Sequence, residues 1–334
     1  MSSFVCGLDI HKNGVYATVM SYGGEVVDKR KLPNDEVVSF LDRYPIDKVA
    51  MESSTSIVPI YRALREKGYT ILVSHPKKTR LIAESRIKTD RVDSWAVTEL
   101  ARLNALPLSY VPPDDIAVLR EKVRRRAFLV RMRTNLKVKI RAQLTINGIQ
   151  PPSDRGLFTS KGLEWLHSLQ LDSVESYLPV ISSLDIQIGK LSKDLQAIAP
   201  QDEDVKLLMT IPGIGYYSAL LVKSEIGNIT RFPDGEKLCS YAGLVPSVSS
   251  SGGYTRHGSI TKEGSRWLRW IMVECVHTHL KYDTSITRSY HAIAERKGKS
   301  IAKVAAARRL LMCCYSVLRN RQPYRDPAGH YEPS

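Results

Sequence analysis

The feature that most constrains the fold of this chain is the order of apolar segments near its beginning. Residues 4–32 contain three of them, FVCGLDI, GVYATVMSY and EVVDKRKL, and Gly23 and Gly24 separate the second from the third. Segments of this length that are apolar, or that alternate between apolar and polar residues, and that are punctuated by turns predict consecutive β-strands. The chain is therefore expected to start with a three-stranded meander.

Helices and strands alternate after the meander. Helices are predicted over residues 35–44, 57–67 and about 77–103, and the segments DKVAMES and YTILVSHP between them have the composition of strands. An order of this kind predicts a mixed sheet with helices packed against it, as in the ribonuclease H fold. The predicted fold class of this first region is α/β.

Four carboxylates occupy positions at the ends of these predicted elements. Asp9 ends the first strand, Glu52 ends DKVAMES, and Asp90 and Asp93 are three residues apart on a predicted helix and share one of its faces. Any one of them alone fits a turn, a helix cap or a solvated face equally well. Together they offer the oxygen ligands of two Mg²⁺ ions, which can activate the attacking oxygen and stabilise the leaving oxygen in phosphoryl transfer. A magnesium site is predicted, with Mn²⁺ as the alternative ion.

The charge of the chain indicates a polyanionic partner. Its 334 residues include 49 Lys and Arg against 34 Asp and Glu, a net charge of +15, which is typical of proteins that bind nucleic acid. Between residues 119 and 141 one acidic residue accompanies ten basic ones. Eight of the ten are predicted to contact a nucleic-acid backbone: Arg120, Lys122, Arg124, Arg125, Arg126, Arg131, Arg133 and Lys137.

The basic segment belongs to a predicted helical connector. A Pro-Pro step within residues 107–115 ends the α/β pattern, and apolar residues then recur at helical spacing in two stripes. The stripes are Val123, Ala127, Val130, Thr134 and Val138, and Leu184, Ile188, Leu191, Leu195 and Ile198. The two helices are predicted to pack antiparallel, as an internal hairpin or as a dimer interface.

Four regions follow from these boundaries. Residues 1–110 form the predicted α/β domain, 111–203 the connector and 204–322 a mainly helical domain. Residues 323–334 are polar and rich in proline, so a loose tail is expected there.

The segment IPGIG, residues 211–215, lies between two apolar helical stretches. Its spacing resembles a helix-hairpin-helix motif, in which backbone N–H groups, here near Gly213 and Gly215, meet a DNA phosphate at the start of a helix. A tight turn that serves only packing is the alternative.

A Ser/Gly-rich loop is predicted between residues 246 and 264. Its serines include Ser249, Ser250 and Ser251, and the basic residues predicted to contact nucleic acid there are Arg256, Lys262 and Arg266. Most serines of such a loop only solvate it. A serine becomes a nucleophile where a metal or a base activates it and cations hold the phosphate.

Several classes of protein are excluded by composition. The five cysteines lack a CxxC pair, so neither a disulfide framework nor a zinc site is predicted, and they are expected to be small buried apolar residues. No apolar run approaches the roughly 20 residues of a membrane span. The first residues do not have the basic and then apolar order of an export signal, so a cytoplasmic protein without a membrane partner is expected.

Taken together, these segments resemble one family over nearly the whole chain. GLDIHK, MESS and KTDRVDSWA, followed by IPGIG and AGLVPSVSSSGG, are similar to the DEDD transposases, the Piv/MooV-like recombinases of the IS110 family of insertion sequences. The resemblance implies a RuvC-like domain, a coiled-coil connector and a C-terminal transposase domain. It implies that Asp9, Glu52, Asp90 and Asp93 are the acidic tetrad. It also implies that Ser251 is the catalytic serine, with the adjacent Ser249 and Ser250 as alternatives.

The resemblance also implies a reaction and a set of partners. In the family, the serine attacks a DNA phosphodiester and becomes covalently linked to DNA, while metal ions in the RuvC-like site assist. Members use a structured bridge RNA that pairs with donor and target DNA, and they assemble as dimers and tetramers. The expected partners are therefore double-stranded donor and target DNA, a guide RNA and further copies of this chain.

Two other functions fit the residues. One is a RuvC-like nuclease or junction resolvase that uses water as its nucleophile, and the other is a nucleic-acid-binding protein without catalysis. The change Ser251→Ala separates the first from a serine recombinase, since only the recombinase then loses a covalent DNA adduct. The change Asp9→Asn separates both enzymes from the binding protein.

Overall fold

A computed structural model describes residues 3–82, 90–153, 155–251, 254–327 and 329. At 90–92, 249–251 and 254–257 it describes the backbone only. The chain divides into two compact units, 1–111 and 112–334. The second unit contains both the predicted connector and the predicted helical domain.

The first unit is built on a five-stranded mixed sheet. Its strands are β1 (Phe4–His11), β2 (Gly14–Ser21), β3 (Val26–Leu32), β4 (Ile46–Glu52) and β5 (Thr70–Ser74), in the spatial order β3-β2-β1-β4-β5. The first three strands form the predicted antiparallel meander, whereas β4 is parallel to β1 and β5 to β4. Parallel neighbours need a crossover, and the intervening helices supply it. The predicted α/β class is confirmed.

Helices cover both faces of this sheet. They are α1 (Val37–Leu41), α2 (Val58–Glu66), α3 (Pro76–Ile82) and α4 (Asp90–Arg102). Because side chains alternate between the faces of a strand, Leu8 packs with Phe40 of α1 and Leu64 of α2 on one side. Val5 packs with Val97 of α4 on the other. The single helix predicted over residues 77–103 is observed as α3 and α4, with 83–89 outside the described residues.

The second unit is mainly helical. In chain order its elements are α5 (Asp114–Ile146), α6 (Ser160–Ser168), α7 (Asp172–Glu175), α8 (Leu178–Ile198), α9 (Glu203–Met209), α10 (Tyr216–Ile226), α11 (Gly235–Tyr241), β6 (Pro246–Ser251), β7 (Tyr254–Ile260), α12 (Arg266–His279), α13 (Ser285–Lys297) and α14 (Lys299–Asn320). Its larger core contains residues of α10, α12 and α14. A smaller core joins the second half of α5 to α6, α7 and the start of α8.

The serine-rich segment differs from the prediction, because it forms a β-hairpin instead of a loop. Strands β6 and β7 pair antiparallel from Pro246 and Ile260 to Ser251 and Tyr254. A run of small polar residues carries no apolar alternation, so sequence periodicity does not reveal a strand whose stability comes from backbone pairing.

The helices α5 and α8 pack antiparallel, as predicted. Arg126 donates to the hydroxyl of Ser192 at 2.8 Å, and Arg133 donates to Asp185 at 2.5 Å, so rising residue numbers on α5 meet falling numbers on α8. The predicted stripe of α8 faces the interior, where four of its residues are buried and Ile198 is partly buried.

The predicted stripe of α5 is wrong beyond Ala127. Val138 is 56% exposed, whereas Ile140 and Leu144 are buried. The reason is that the first half of α5 packs in the larger core and the second half packs in the smaller one. The two halves therefore bury different faces of one helix.

The segment after α14 also differs from the loose tail predicted for residues 323–334. Tyr324 and Asp326 are buried. Asp326 accepts hydrogen bonds from the backbone N–H and the hydroxyl of Ser285 at 3.2 Å and 2.5 Å, at the beginning of α13. One aromatic side chain and one capping carboxylate are enough to hold a polar segment against a core. Residues 328 and 330–334 lie outside the described residues.

The cysteines were expected to be small buried apolar residues, and most of them are buried. All five cysteines are free and four are buried. Burial raises the pKa of the Cys239 and Cys275 thiols to about 11, so both are neutral at physiological pH. Among the described residues, no helix is long and apolar enough to cross a membrane.

Candidate functional site

Asp9 and Glu52 lie at the same end of two neighbouring parallel strands. Leu8 of β1 pairs with Met51 of β4, and the two carboxylates are the next residues in each strand. Leu8 and Met51 both belong to the core on the α1 and α2 side. Alternation along the strands therefore turns both carboxylates toward the opposite face, which α4 covers. The Asp9 side chain is 18% exposed, and its Oδ2 lies 3.1 Å from Nε2 of His11.

Gly7 allows α4 to lie directly on this face. A Cβ at Gly7 would be 2.6 Å from the carbonyl oxygen of Ser94 and 2.8 Å from the backbone nitrogen of Thr98. These distances are too short for any side chain, so the close approach of helix and strand requires glycine. The hydroxyls of Ser94 and Thr18, 2.9 Å apart, further fix the helix against β2.

The direction of α4 brings its first residues to the carboxylate end of the sheet. Ser94 lies over Gly7, whereas Ala101, later in the helix, packs with Val5, earlier in the strand. The helix thus runs antiparallel to β1. Asp90 and Asp93 precede Ser94, so their backbone belongs to the end of α4 that points toward Asp9.

The tetrad residues have the right chemistry for a hard divalent cation. Carboxylate oxygens suit Mg²⁺ and Mn²⁺, and the set contains no thiolate that would favour a softer metal. Among the side chains that the structure describes, which do not include Asp90, no group of three or more His, Cys, Asp or Glu residues is arranged to hold a metal ion. The fold brings together the strand ends and the helix end, and the donor set fits the ion by its chemistry.

Ser251, the serine predicted to be catalytic, is the last residue of β6. Ser251 pairs with Tyr254, and the pairs before it are Ser250 with Thr255 and Ser249 with Arg256. Residues 252–253 lie outside the described residues, as do the side chains of all three serines and of Arg256.

The foot of this hairpin is tightly packed. Here the foot means residues 241–245, which lead into β6, and 261–265, which leave β7. The backbone N–H of Thr261 donates to the carbonyl of Val245 at 2.9 Å, and that of Ser265 donates to the carbonyl of Tyr241 at 2.8 Å. Gly243 has φ +65, and a Cβ there would be 2.6 Å from the nitrogen of Glu263.

The two glycines of IPGIG have different surroundings. Gly213 has φ +85, and a Cβ there would be 2.6 Å from the backbone nitrogen of His279, at the end of α12. The carbonyl of the preceding Pro212 lies 2.7 Å from Nδ1 of His279. Gly215 is exposed at the beginning of α10, where a Cβ would meet nothing within 4 Å. Close packing therefore requires glycine at position 213 and does not require it at position 215.

Four of the basic residues predicted to contact nucleic acid make hydrogen bonds to other helices of the second unit. Arg120 donates to the carbonyl of Ser224 at 2.8 and 2.7 Å, and Arg124 makes two hydrogen bonds to Glu225 at 2.8 and 2.9 Å. Arg126 and Arg133 contact α8, as described above. These guanidinium groups connect helices of the same unit.

The other basic residues of α5 are more open. Arg125 and Arg131 are exposed, and Lys122 and Lys137 are half-buried. Lys137 lies 4.8 Å from the centre of the Phe158 ring, and burial lowers its pKa.

An aromatic side chain lies among these cations. The half-buried ring of Trp267 has the guanidinium groups of Arg131 and Arg266 at 6.0 Å and 5.8 Å from its centre. Arg266 is exposed, as is Lys262 at the foot of the hairpin. A surface that combines exposed cations with an aromatic ring is typical of nucleic-acid-binding proteins.

Sequence reasoning did not identify Glu225 or Trp267. A signal for Glu225 was present, because it is an acidic residue in the mainly apolar segment ALLVKSEIG, and a carboxylate that is buried there needs a partner. The sequence offers no comparable signal for Trp267, since one of its cations, Arg131, comes from a helix far away in the chain.

Comparison with known proteins gives consistent results along the chain. A family model for DEDD-type proteins, described as "Transposase", matches residues 6–147, and a model described as "Transposase IS116/IS110/IS902 family" matches residues 205–292. The chain is 27% identical over 335 residues to the transposase for insertion sequence element IS1111A of Coxiella burnetii, covering 96% of this chain and 91% of that protein. It is 25% identical over 331 residues to a probable family 20 transposase of Pseudomonas aeruginosa, covering 96% and 98%.

A solved structure is also similar in part. It is that of RuvC from T. thermophilus in complex with a Holliday junction substrate. The match has a TM-score of 0.27 and 12% sequence identity, and it covers 32% of this chain and 99% of that one.

Proposed function

Because the chain belongs to the IS110 family of DEDD transposases, we propose that it cleaves and exchanges DNA strands for an insertion sequence through a serine–DNA intermediate. The observation that carries the proposal is the position of Asp9 and Glu52 at adjacent strand ends, facing the helix that begins with Asp90 and Asp93. Four carboxylates brought close together at this end of the sheet would be stabilised by a cation between them.

The proposed nucleophile is the hydroxyl of Ser251. The hydroxyl gives up its proton as its oxygen forms a bond to the phosphorus of a DNA phosphodiester. The bond from phosphorus to one deoxyribose oxygen breaks, and that oxygen takes up a proton in turn. Attack by the hydroxyl of another strand reverses these steps and regenerates the serine. The number of phosphodiester bonds is unchanged, so strand exchange of this kind needs no external energy source.

The tetrad is the proposed site of a divalent cation, Mg²⁺ or Mn²⁺. When bound, such an ion stabilises negative charge on the phosphate and on the departing oxygen. The protein contributes the geometry: Gly7 lets α4 approach the sheet, which brings Asp90 and Asp93 to the end of the sheet where Asp9 and Glu52 lie.

The proposed nucleic-acid surface of the second unit contains fewer basic residues than the sequence predicted. Arg125, Arg131 and Arg266 are exposed, and the first two lie on the same helix. Exposed arginines bind phosphates, and Trp267 beside Arg131 and Arg266 offers a ring for base stacking. The open N-terminus of α10 at Gly215 adds backbone N–H groups.

Donor and target DNA are the proposed substrates, and a structured guide RNA and further copies of this chain are the proposed partners. Support for RNA comes from family membership and from the net charge of +15. Sequencing of nucleic acid that co-purifies with the protein tests the RNA. A defined noncoding RNA with segments complementary to both DNA partners is expected, whereas random cellular RNA would contradict a guide.

The serine is tested with a DNA substrate that contains an element end and its flanks. Wild-type protein should form a covalent protein–DNA adduct that survives denaturation, and Ser251→Ala should abolish it. Matched variants Ser249→Ala and Ser250→Ala control for a general effect on the hairpin and identify the nucleophile if it is one of the neighbours. Strand cleavage without any adduct, unchanged in all three variants, would show that water is the nucleophile.

A further inference from the structure

Glu225 is an unusual residue in α10, because its side chain is only 1% exposed. A buried carboxylate is strongly unfavourable unless hydrogen bonds and an opposite charge compensate it. Its Oε1 accepts a hydrogen bond from Nε of Arg124 at 2.8 Å, and its Oε2 accepts one from the Arg124 Nη2 at 2.9 Å. The Ser265 hydroxyl donates a third, to Oε2, at 2.8 Å. The charge is thus fully compensated within the unit.

Ser265 connects this carboxylate to the foot of the hairpin. Its oxygen accepts a hydrogen bond from the backbone N–H of Leu268 at 3.1 Å and so caps α12. Its own backbone N–H donates to the carbonyl of Tyr241. One residue therefore joins α10, the beginning of α12 and both chain segments of the foot.

The foot has little freedom to absorb a displacement of Ser265. A Cβ at the neighbouring Gly264 would collide with the carbonyl of Tyr241, and Gly264 has φ +73. One turn into α12, Arg269 donates to the carbonyl of Ala242 at 2.7 Å. Movement of Ser265 is therefore expected to shift β7 and, through strand pairing, β6 with Ser251.

We propose that Arg124, Glu225 and Ser265 are positioning residues, which hold the serine hairpin in the orientation required for attack on DNA. The inference rests on the serine chemistry proposed above. It also gives Arg124 a different task from the exposed Arg125 and Arg131 on α5, because its guanidinium makes two hydrogen bonds to Glu225.

The central test compares Ser265→Ala, Ser265→Thr and Ser265→Asp. Alanine removes both hydrogen bonds of the side chain, threonine restores both, and aspartate restores the cap of α12 but places a second negative charge beside Glu225. Single-turnover adduct formation is expected to slow about tenfold or more in the alanine and aspartate variants, as for loss of a charged hydrogen bond. Threonine should stay near wild type, and DNA affinity should be unchanged in all three.

Arg124→Lys separates positioning from phosphate binding. Lysine keeps the positive charge but cannot make two parallel hydrogen bonds to one carboxylate. A positioning residue predicts slow adduct formation with unchanged affinity and unchanged salt dependence of binding. Weakened DNA binding with a wild-type rate at saturating DNA would overturn the proposal.

Amide hydrogen exchange in β6 and β7 adds a readout that does not depend on catalysis. Exchange is expected to be faster in Ser265→Ala than in wild type or Ser265→Thr. A Ser265→Ala protein with wild-type exchange and a wild-type adduct rate would refute the positioning role. A wild-type protein that forms no adduct at all would instead contradict the serine chemistry, while the exchange experiment would still decide whether the network holds the hairpin.

Discussion

Carboxylates occur in two very different settings in this protein, at the end of the five-stranded sheet and inside the helical unit. Glu225 accepts three hydrogen bonds, two of them from one guanidinium. Asp9 and Glu52 face the same side of the sheet, toward the end of a helix that carries two more carboxylates. Glu225 is compensated by arginine within the fold, whereas the carboxylates at the end of the sheet are the proposed ligands of a cation.

The largest expected effect comes from neutralising one of the four carboxylates of the proposed metal site at the end of the sheet. Asp9→Asn keeps the shape of the side chain but removes a charged metal ligand, so strand cleavage and exchange should fall on the order of a thousandfold. Thermal stability should stay the same or rise slightly, since repulsion among the carboxylates decreases. Activity is measured with a DNA substrate at saturating Mg²⁺.

Glu66→Gln, at an exposed position of the same unit, is the matched control and should retain full activity. Full activity of Asp9→Asn would remove the distinction between the two settings.

Replacing the buried carboxylate of Glu225 is expected to have the opposite effect on stability, which should fall. Glu225→Ala leaves Arg124 without its partner, and the free energy of unfolding of the second unit should fall by about 3 kcal/mol, a value that allows for partial solvation of the arginine. Denaturant titration followed by circular dichroism measures the change. The control is Glu236→Ala, which breaks the exposed pair with Arg308 and should change stability by less than about 1 kcal/mol. Equal effects of the two substitutions would mean that burial of Glu225 does not matter.

The proposed metal site also depends on the contact between α4 and β1. Gly7→Ala introduces a Cβ into the backbone of α4, and overpacking of this kind is expected to destabilise the first unit by about 2 kcal/mol. Shifting α4 should also weaken Mg²⁺ binding, which isothermal titration calorimetry reports. Gly23→Ala is the control, because the nearest atom to its Cβ, the Ser21 hydroxyl oxygen, is 3.5 Å away. Unchanged metal affinity in a folded Gly7→Ala protein would contradict the role of this contact.

The arginines of the second unit can be compared in the same way, because some contact other helices and others are exposed. Trp267→Ala and Arg131→Ala should each lower DNA affinity by about tenfold, the size of one stacking or phosphate contact. Arg126→Ala, in contrast, removes a guanidinium that contacts α8 and should lower stability with little change in DNA affinity. Binding is measured by fluorescence anisotropy over a range of salt concentrations. Equal losses of affinity for Arg126 and Arg131 would show that the contacts within the unit do not exclude DNA binding.

The smallest expected effect is a change in the pH dependence of stability, caused by the buried side chain of His279. Burial lowers the pKa of His279, whose ring lies between the carbonyl of Pro212 and the hydroxyl of Thr284. The unfolded chain then binds more protons than the folded one, so stability is fully present above about pH 6.5 and is lost as the pH falls toward the lower folded pKa. Unfolding midpoints measured from pH 7.5 to 5 should show this loss, and His279→Gln should reduce it. An identical pH dependence in the variant would assign the loss to other groups.

The sheet and its site were predicted to different degrees by local patterns. Strand order follows from apolar segments and turns that lie next to one another in the chain, so the positions of Asp9 and Glu52 at strand ends were evident without a structure. The approach of α4 at Gly7 was not evident, because a glycine inside a strand has the same appearance in sequence whether or not a helix lies on it. The serine hairpin and the packed segment at Tyr324 were missed for a related reason, since neither has apolar periodicity.

The amino-acid sequence by itself determined the α/β order of the first unit, the antiparallel pair of long helices and the family, because these depend on periodicity and on short motifs. Only the tertiary structure decided which arginines of α5 make hydrogen bonds to other helices and which do not. Arg124 and Glu225 are 101 residues apart in the chain, and the choice between a carboxylate and a phosphate for that guanidinium depends on which one folding brings within hydrogen-bond distance. A run of basic residues specifies charge, while burial and partners specify what each charge does.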